Sequence, residues 1–190
     1  VSHNAGQLPP TIRSRCRRVP VMPLPRPLII RLLGLYRPEL AEPASVMLAQ
    51  LAEGSIGRAL ELADVDGIAL YRSLLGRLSQ VRRLDVADLH AFADQLARPE
   101  AEDLYRTVQE LLSQFLARMI AHASRGKLDA NDLIAQEADV MRQLAACADP
   151  GRWVRLREEI DRSFLDTDQL NLDRKQAVLG AFFAIEEIAR

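Results

Sequence analysis

A run of prolines near the amino terminus restricts the fold of this chain more than any other stretch. Four of the eight positions from 20 to 27 are proline. Proline fixes its own φ angle and has no amide hydrogen to donate, so this run can neither continue a helix nor enter the middle of a sheet. We therefore predict an extended connector here and a domain boundary at residue 24, with residues 1–24 forming the edge of another domain and the connector.

The segment that follows the prolines has the composition of a small helical domain, predicted to span residues 25–64. Its apolar residues recur at spacings of three and four, which is typical of amphipathic helices. We predict short helices at Leu28–Tyr36 and Ala44–Glu53. A third helix is predicted to begin after Ser55, a residue type that favours helix N-caps, and to end near Ala63.

Residues 65–190 are predicted to form an all-α bundle of five or six antiparallel helices joined by short loops. The clearest helix follows Pro99, where one apolar stripe continues to Ile120. Aspartates are predicted to cap several of these helices, and Asp166 and Asp168 are assigned to a loop or a cap. The expected fold class is mainly α.

Composition and motifs exclude several classes of function. The formal net charge is -1, with 25 basic and 26 acidic residues, so any contact with nucleic acid has to be local. The sequence has no phosphate-binding loop of the G-x-x-x-x-G-K-[ST] type, no H-E-x-x-H and no C-x-x-C, which argues against a self-contained enzyme. No apolar run approaches the roughly 20 residues of a membrane span.

A basic cluster precedes the prolines: Arg13, Arg15, Arg17 and Arg18 lie within six residues. One interpretation is a solvated basic turn. The other is an arginine presented to an anion, because the planar guanidinium binds phosphate through two hydrogen bonds and keeps its charge. Offered to the nucleotide of a neighbouring subunit, such a group stabilises the charge that develops during phosphoryl transfer.

Four stretches together resemble the AAA+ clamp-loader family. Leu8–Cys16 is similar to the family's S-R-C motif, and Val1–His3 resembles the end of the preceding sensor 1 strand. Glu53–Leu60 resembles the sensor 2 helix of the lid domain. Asn171–Lys175 resembles the opening of the last collar helix in the delta prime class of bacterial DNA polymerase III subunits. The order and spacing of these stretches fit the family over the whole chain.

One departure from the family pattern bears on nucleotide binding. In the ATP-binding subunits the sensor 2 arginine directly follows a G-S-hydrophobic triplet. Here that position is Gly57, and the arginine is Arg58. One residue turns a side chain by about 100° around a helix, so Arg58 is not expected to reach a nucleotide and is expected to be a solvated helix residue. This favours the delta prime class, whose members are the subunits of this family that do not bind ATP.

The resemblance implies roles for individual residues. Arg15 would act in trans as an arginine finger on the ATP of an adjacent subunit. Ser14 would cap or orient the turn that carries it, and Cys16 would pack beneath that turn. Arg17 and Arg18 are candidates for contact with DNA phosphate.

It also implies an organisation, with partners and a compartment. Residues 1–24 would be the remnant of an upstream α/β ATPase-like domain, 25–64 the lid and 65–190 the collar that joins the subunits of a ring. We therefore expect a piece of a longer, cytoplasmic bacterial protein with no cofactor of its own, ATP and magnesium being bound by neighbouring subunits. Its partners would be the gamma/tau and delta subunits, the sliding clamp and primed DNA.

Two alternatives remain open from the sequence. The first is a gamma/tau-type ATPase subunit, which an intact phosphate-binding loop upstream would identify. The second is a helical scaffold module unrelated to replication, which would be indifferent to clamp-loader subunits.

Overall fold

The computed structural model of the chain describes residues 9, 11, 14–16, 21–125 and 135–190. Within these residues it is mainly helical and contains no strand. The sensor 1 strand expected at residues 1–3 lies outside the described part.

Helix α1 spans Arg26–Tyr36 and helix α2 spans Glu42–Leu51. Both begin earlier than predicted, because Pro27 and Pro43 lie in their first turns rather than before them. The first amide groups of a helix have no partner within it, so a proline there costs no hydrogen bond. The extended segment therefore ends at Pro25, two residues before the predicted end of the connector.

Helix α3 spans Ile56–Asp64 and helix α4 spans Gly67–Ser79. The predicted Ser55 cap is confirmed, since the Arg58 amide donates to the Ser55 hydroxyl at 3.2 Å. Helices α1, α2 and α3 contact one another in all three pairs, and α2 and α3 also contact α4. The three short helices therefore pack together as one unit, and this unit packs against α4, the first helix of the bundle.

Six α-helices are described from Gly67 onward, which confirms the upper predicted number for the bundle. Helix α4 is the first of them. The other five are α5 (Val86–Leu96), α6 (Glu102–Arg125), α7 (Ala135–Ala145), α8 (Pro150–Leu170) and α9 (Arg174–Ala189). The short 3-10 turns Val81–Arg83 and Pro99–Ala101 precede α5 and α6.

Helix α8 extends further than the sequence predicted, which makes one assignment wrong. Asp166 and Asp168 lie inside this helix and not in a loop or at a cap. The helix stops only at Asn171, which takes a left-handed conformation (φ 52°), and the Leu172 amide then bonds back to the Thr167 carbonyl at 2.9 Å. This hydrogen bond satisfies a carbonyl that would otherwise lack a partner at the helix end.

The core is organised around α6, which contacts α4, α5, α7 and α8, while α9 packs on α5 and α8. The largest buried side chains in the described residues are aromatic: Trp153, Tyr71, Tyr105, Phe115 and Phe182. Buried apolar residues form a cluster that runs from Ile29 to Ala189 and so crosses the predicted boundary at residue 64. None of the helices in the described part is long and apolar enough to cross a membrane.

Candidate functional site

The first candidate site is the turn that carries Arg15. Thr11 has a helical backbone, and residues 14–16 form a turn and bend with exposed side chains. The Ser14 hydroxyl donates to the Thr11 carbonyl at 3.2 Å and so closes the turn from within. The predicted orienting role of Ser14 thus has a matching contact, and the Arg15 guanidinium is accessible in the chain as described.

Two other predictions for this turn have different outcomes. Cys16 is exposed, so the described residues do not supply the packing that was expected beneath the turn. Arg17 and Arg18 lie outside the described residues, and their predicted contact with DNA phosphate stays a prediction.

The proline segment, residues 21–25, is docked on the turn between α2 and α3. The Leu24 amide donates to the Gly54 carbonyl at 2.8 Å. Glu53 and Gly54 both have positive φ angles, of 47° and 89°. A Cβ atom on Gly54 would lie 2.4 Å from the Cβ of Pro23, a distance that no real contact allows. Only glycine therefore permits both this turn and this contact.

A buried polar cluster lies next to this turn and joins three bundle helices. The Tyr71 hydroxyl on α4 donates to Glu137 Oε1 on α7 at 2.6 Å. The guanidinium of Arg118 on α6 donates to the same oxygen through Nη2 (2.7 Å) and Nε (3.0 Å), and to the Tyr71 hydroxyl at 2.9 Å. The Glu137 residue is only 2% exposed. A carboxylate this deeply buried is tolerated because charged and hydrogen-bonding partners surround it.

The electrostatics of the cluster follow from its burial. Burial raises the pKa of the Tyr71 phenol, since the charged phenolate would be poorly solvated there. Burial alone would lower the pKa of Arg118, but the neighbouring Tyr71 and Glu137 outweigh it and raise that pKa. The Tyr71 phenol is therefore neutral and the Arg118 guanidinium charged near neutral pH.

Glu53 connects the cluster to the docked proline segment. Its carboxylate lies 3.4 Å from Arg118 Nη1, and the Glu53 side chain is 49% exposed. Arg118, Glu53 and Glu137 also line a cleft of about 440 Å³ between residues 23–26, the end of α2 and helix α6. The cleft carries charges of both signs, so its own composition does not select an anion or a cation.

The environment of Arg58 contradicts the prediction that it is a solvated helix residue. It is not a solvated residue: its side chain is only 12% exposed and its Nη2 lies 2.7 Å from a carboxylate oxygen of Glu110 on α6. Its Nη1 lies 3.6 Å from Glu61. The arginine of the sensor 2-like stretch is thus engaged within the chain.

Sequence reasoning missed the buried cluster. Neither Arg118 nor Glu137 was predicted to lie in a buried site. A signal was present: Glu137 precedes Val140, Met141 and Leu144 at spacings of three, four and seven, which places an acidic residue on the apolar face of α7. A charge at such a position predicts a buried partner.

Comparisons with protein-family profiles, curated protein sequences and solved structures find no match to this chain. The functional interpretation therefore depends on the residues and their geometry.

Proposed function

We propose that this chain belongs to a delta prime-type subunit of a bacterial DNA polymerase III clamp loader. It would help to place the sliding clamp on primed DNA. In this proposal Arg15 acts in trans on the ATP of a neighbouring gamma/tau-type subunit. The observation that carries the proposal is the exposed Arg15, on a turn closed by Ser14, in a stretch that resembles the S-R-C motif.

Two further observations support this assignment. The mainly helical fold is compatible with a small lid, residues 25–64, followed by a collar, residues 65–190. The Arg58 guanidinium faces Glu110 and Glu61, so it is not available to a nucleotide in the way that the ATP-binding subunits require. This favours a subunit that supplies a group to another ATP site over a gamma/tau-type ATPase.

The first test is hydrolysis of ATP by a clamp loader reconstituted with the full-length protein. Arg15→Ala should lower hydrolysis at the one ATP site that it faces by about a thousandfold, because an arginine finger contributes on that order, and the total DNA-stimulated rate should fall by that site's share. Arg15→Lys should recover little, since an ammonium lacks the planar pair of donors. Assembly of the complex should be unchanged.

The matched control is Arg31→Ala. Arg31 is an exposed arginine of α1, so its loss removes the same charge outside the turn. An unchanged rate for Arg15→Ala, or an equal loss for Arg31→Ala, removes the proposed role of Arg15.

The second test is assembly. The chain is mixed with gamma/tau and delta subunits, and the mass of the species is measured by light scattering after gel filtration. A defined hetero-oligomer is expected. A chain that stays alone among folded partners favours the alternative of a helical scaffold unrelated to replication.

A further inference from the structure

Helix α9 has an exposed side in the described part of the chain. Its buried residues pack on α5 and α8. Its exposed positions follow one another at spacings of three, four, three, four and three, which keeps them on one side of the helix. From the N-cap of α9 to the residue after its end, this outward stripe consists of Asp173, Gln176, Gly180, Phe183, Glu187 and Arg190.

The middle of the outward stripe is a large ring beside an unfilled position. Phe183 is 39% exposed, and Gly180, nearly one turn before it, has no side chain. A Cβ atom on Gly180 would meet no atom within 4 Å, so packing within the described chain does not require glycine there. Glycine inside a helix destabilises that helix relative to alanine. The close approach of a second helix gives this glycine a role.

The outward stripe is complementary to itself when two copies of α9 lie antiparallel. A twofold axis between positions 181 and 182 places Phe183 of one copy over Gly180 of the other. The same axis places Gln176 of one copy opposite Glu187 of the other, so that an amide faces a carboxylate. By symmetry each of these contacts occurs twice.

The two ends of the outward stripe carry opposite charges, and the same axis places Asp173 of one copy opposite Arg190 of the other. Both amides that Asp173 caps donate to its Oδ1, so Oδ2 is the oxygen that a cation would meet. The Arg190 side chain is 71% exposed and pairs with Glu186 through Nη2, and its other nitrogens can donate to a second carboxylate. An antiparallel copy thus meets unlike charges at both ends, whereas a parallel copy would meet like charges.

Helix α5 borders the outward stripe with small side chains. Lys175 at the start of α9 lies 2.6 Å from Asp94 of α5. Ala91 and Ala87 are exposed and precede Asp94 by three and seven residues, so they share its side of α5. Small residues there allow another helix to approach α9 closely.

We infer that two copies of this chain associate through α9 in antiparallel orientation, with Phe183 of each copy on Gly180 of the other. The inference does not depend on the proposed function, because it concerns the chain without other subunits. An interface made by one helix and its borders is small. The dimer is therefore expected to be weak, with a Kd between about 1 μM and 1 mM.

Sedimentation equilibrium of the chain alone measures this association. The mass should rise with concentration from that of one chain toward that of two. Phe183→Ala should raise the Kd by at least about tenfold, because the dimer loses both ring contacts. The matched control is Leu35→Ala, which shortens an exposed apolar side chain of α1 and should leave the Kd unchanged.

Two results of this experiment overturn the inference. One is a mass that stays that of a single chain up to about 1 mM, which would mean that the outward stripe is solvated or binds a different partner. The other is an equal effect of Phe183→Ala and Leu35→Ala on the Kd.

Two changes at the exposed Gln176 test the pairing without altering the core. Gln176→Lys places a cation opposite Glu187 and should lower the Kd, whereas Gln176→Glu places a like charge there and should raise it. Each change should be about threefold to tenfold, because the contact occurs twice in the dimer. Circular dichroism should show the same helix content in both variants. Shifts in the same direction, or no shift, overturn the predicted pairing.

Disulfide formation tests the orientation, in a chain whose Cys16 and Cys147 are replaced by serine. A mixture of the Gln176→Cys and Glu187→Cys chains should form a linked dimer on oxidation. Neither variant alone should do so, because in the antiparallel pair identical positions are offset by about 16 Å along the axis. Linked dimers that form as readily within each variant alone as in the mixture overturn the antiparallel arrangement.

Discussion

Glu137 is a buried acidic side chain with a cationic partner, Arg118, on another helix. It is 2% exposed, and Arg118 supplies two of the hydrogen bonds that its Oε1 accepts. Removing the guanidinium takes a charged partner from a buried carboxylate, which costs far more than the loss of an ordinary surface contact. The strength of the pair is therefore best measured by breaking it from the arginine side.

Arg118→Ala should lower the free energy of unfolding by about 3–5 kcal/mol, because the buried Glu137 loses the charged partner that donates two hydrogen bonds to it. Denaturation in urea, followed by circular dichroism, measures the change. Glu53→Gln removes the other carboxylate near Arg118, but that side chain is half exposed, so the change should be about 1 kcal/mol or less. Equal effects of the two variants would contradict the buried ion pair.

Tyr71 and Tyr105 should make stability depend on alkaline pH. Burial raises the pKa of both phenols above the usual 10.0. Above that pH the unfolded chain loses these protons while the folded chain keeps them, so the unfolded state binds fewer protons and the free energy of unfolding falls as pH rises.

Urea midpoints measured from about pH 8 to 11 should therefore be steady at first and then decline above about pH 10. A double variant with phenylalanine at positions 71 and 105 should decline less steeply. An equal slope in the variant and the parent chain would show that other groups cause the loss.

The sequence predicted contacts within one helix better than contacts between helices. Ser55 makes the local hydrogen bond expected of it, because such a contact joins residues three apart and depends on little else. The solvated position predicted for Arg58 was wrong and Glu137 was missed, since their partners Glu110 and Arg118 lie on other helices. Spacing along one helix indicates which side of it is buried, but not which residue of another helix lies opposite.

At the scale of elements, capping fixes where several helices begin. Asp85, Asp149 and Asp173 each accept a hydrogen bond from a backbone amide in the first turn that follows. Such caps can be recognised in a sequence because they need only one residue type at one position. The starts of α1 and α2 were misplaced, since a proline both breaks a helix from within and fits its first turn.

The stretch that resembles the opening of the collar helix, Asn171–Lys175, has a local structural role. Asn171 ends α8 with its positive φ, and the Asp173 carboxylate accepts from the amides of Lys175 (2.8 Å) and Gln176 (3.4 Å). The Lys175 ammonium lies 2.6 Å from Asp94 on α5. These contacts explain the residue types in this stretch without any partner subunit.

Asp173→Ala should therefore lower the free energy of unfolding by about 1 kcal/mol, the usual loss for an N-cap. Asp166→Ala is the control, because Asp166 is an exposed residue inside α8, where alanine is the better helix former, and it should be neutral or slightly stabilising. Thermal unfolding followed by circular dichroism compares them. A loss for Asp166→Ala as large as that for Asp173→Ala would contradict the cap.

At the scale of the whole molecule, the short helices and the bundle share contacts that should make them unfold together. The apolar cluster continues from α1 to α9, and the Arg58–Glu110 and Glu53–Arg118 pairs cross from residues 25–64 to the bundle. The fold class could be predicted because the apolar spacing is helical throughout. This packing could not, because it depends on which faces meet.

Hydrogen exchange of backbone amides measures whether the short helices and the bundle unfold cooperatively. The slowest amides of α3 and of α4 should exchange with the same free energy of opening, since α3 packs on α4 and shares its core. Arg58→Ala should lower the value for both helices together. Exchange of α1–α3 at a distinctly lower free energy than the bundle would show that the predicted boundary at residue 64 separates two independent units.

Under the proposed function, the Arg58–Glu110 pair would also restrict evolution between a delta prime-type subunit and an ATP-binding subunit. Exchanging Gly57 and Arg58 would restore the spacing of the ATP-binding subunits, but it would turn the guanidinium about 100° away and leave Glu110 facing no cation across the contact between α3 and α6. A change at Glu110 alone would leave the nearly buried Arg58 with only the longer contact to Glu61, 3.6 Å away. Each step is unfavourable before the other has occurred, so this sign epistasis between two helices would hold the chain in its present form.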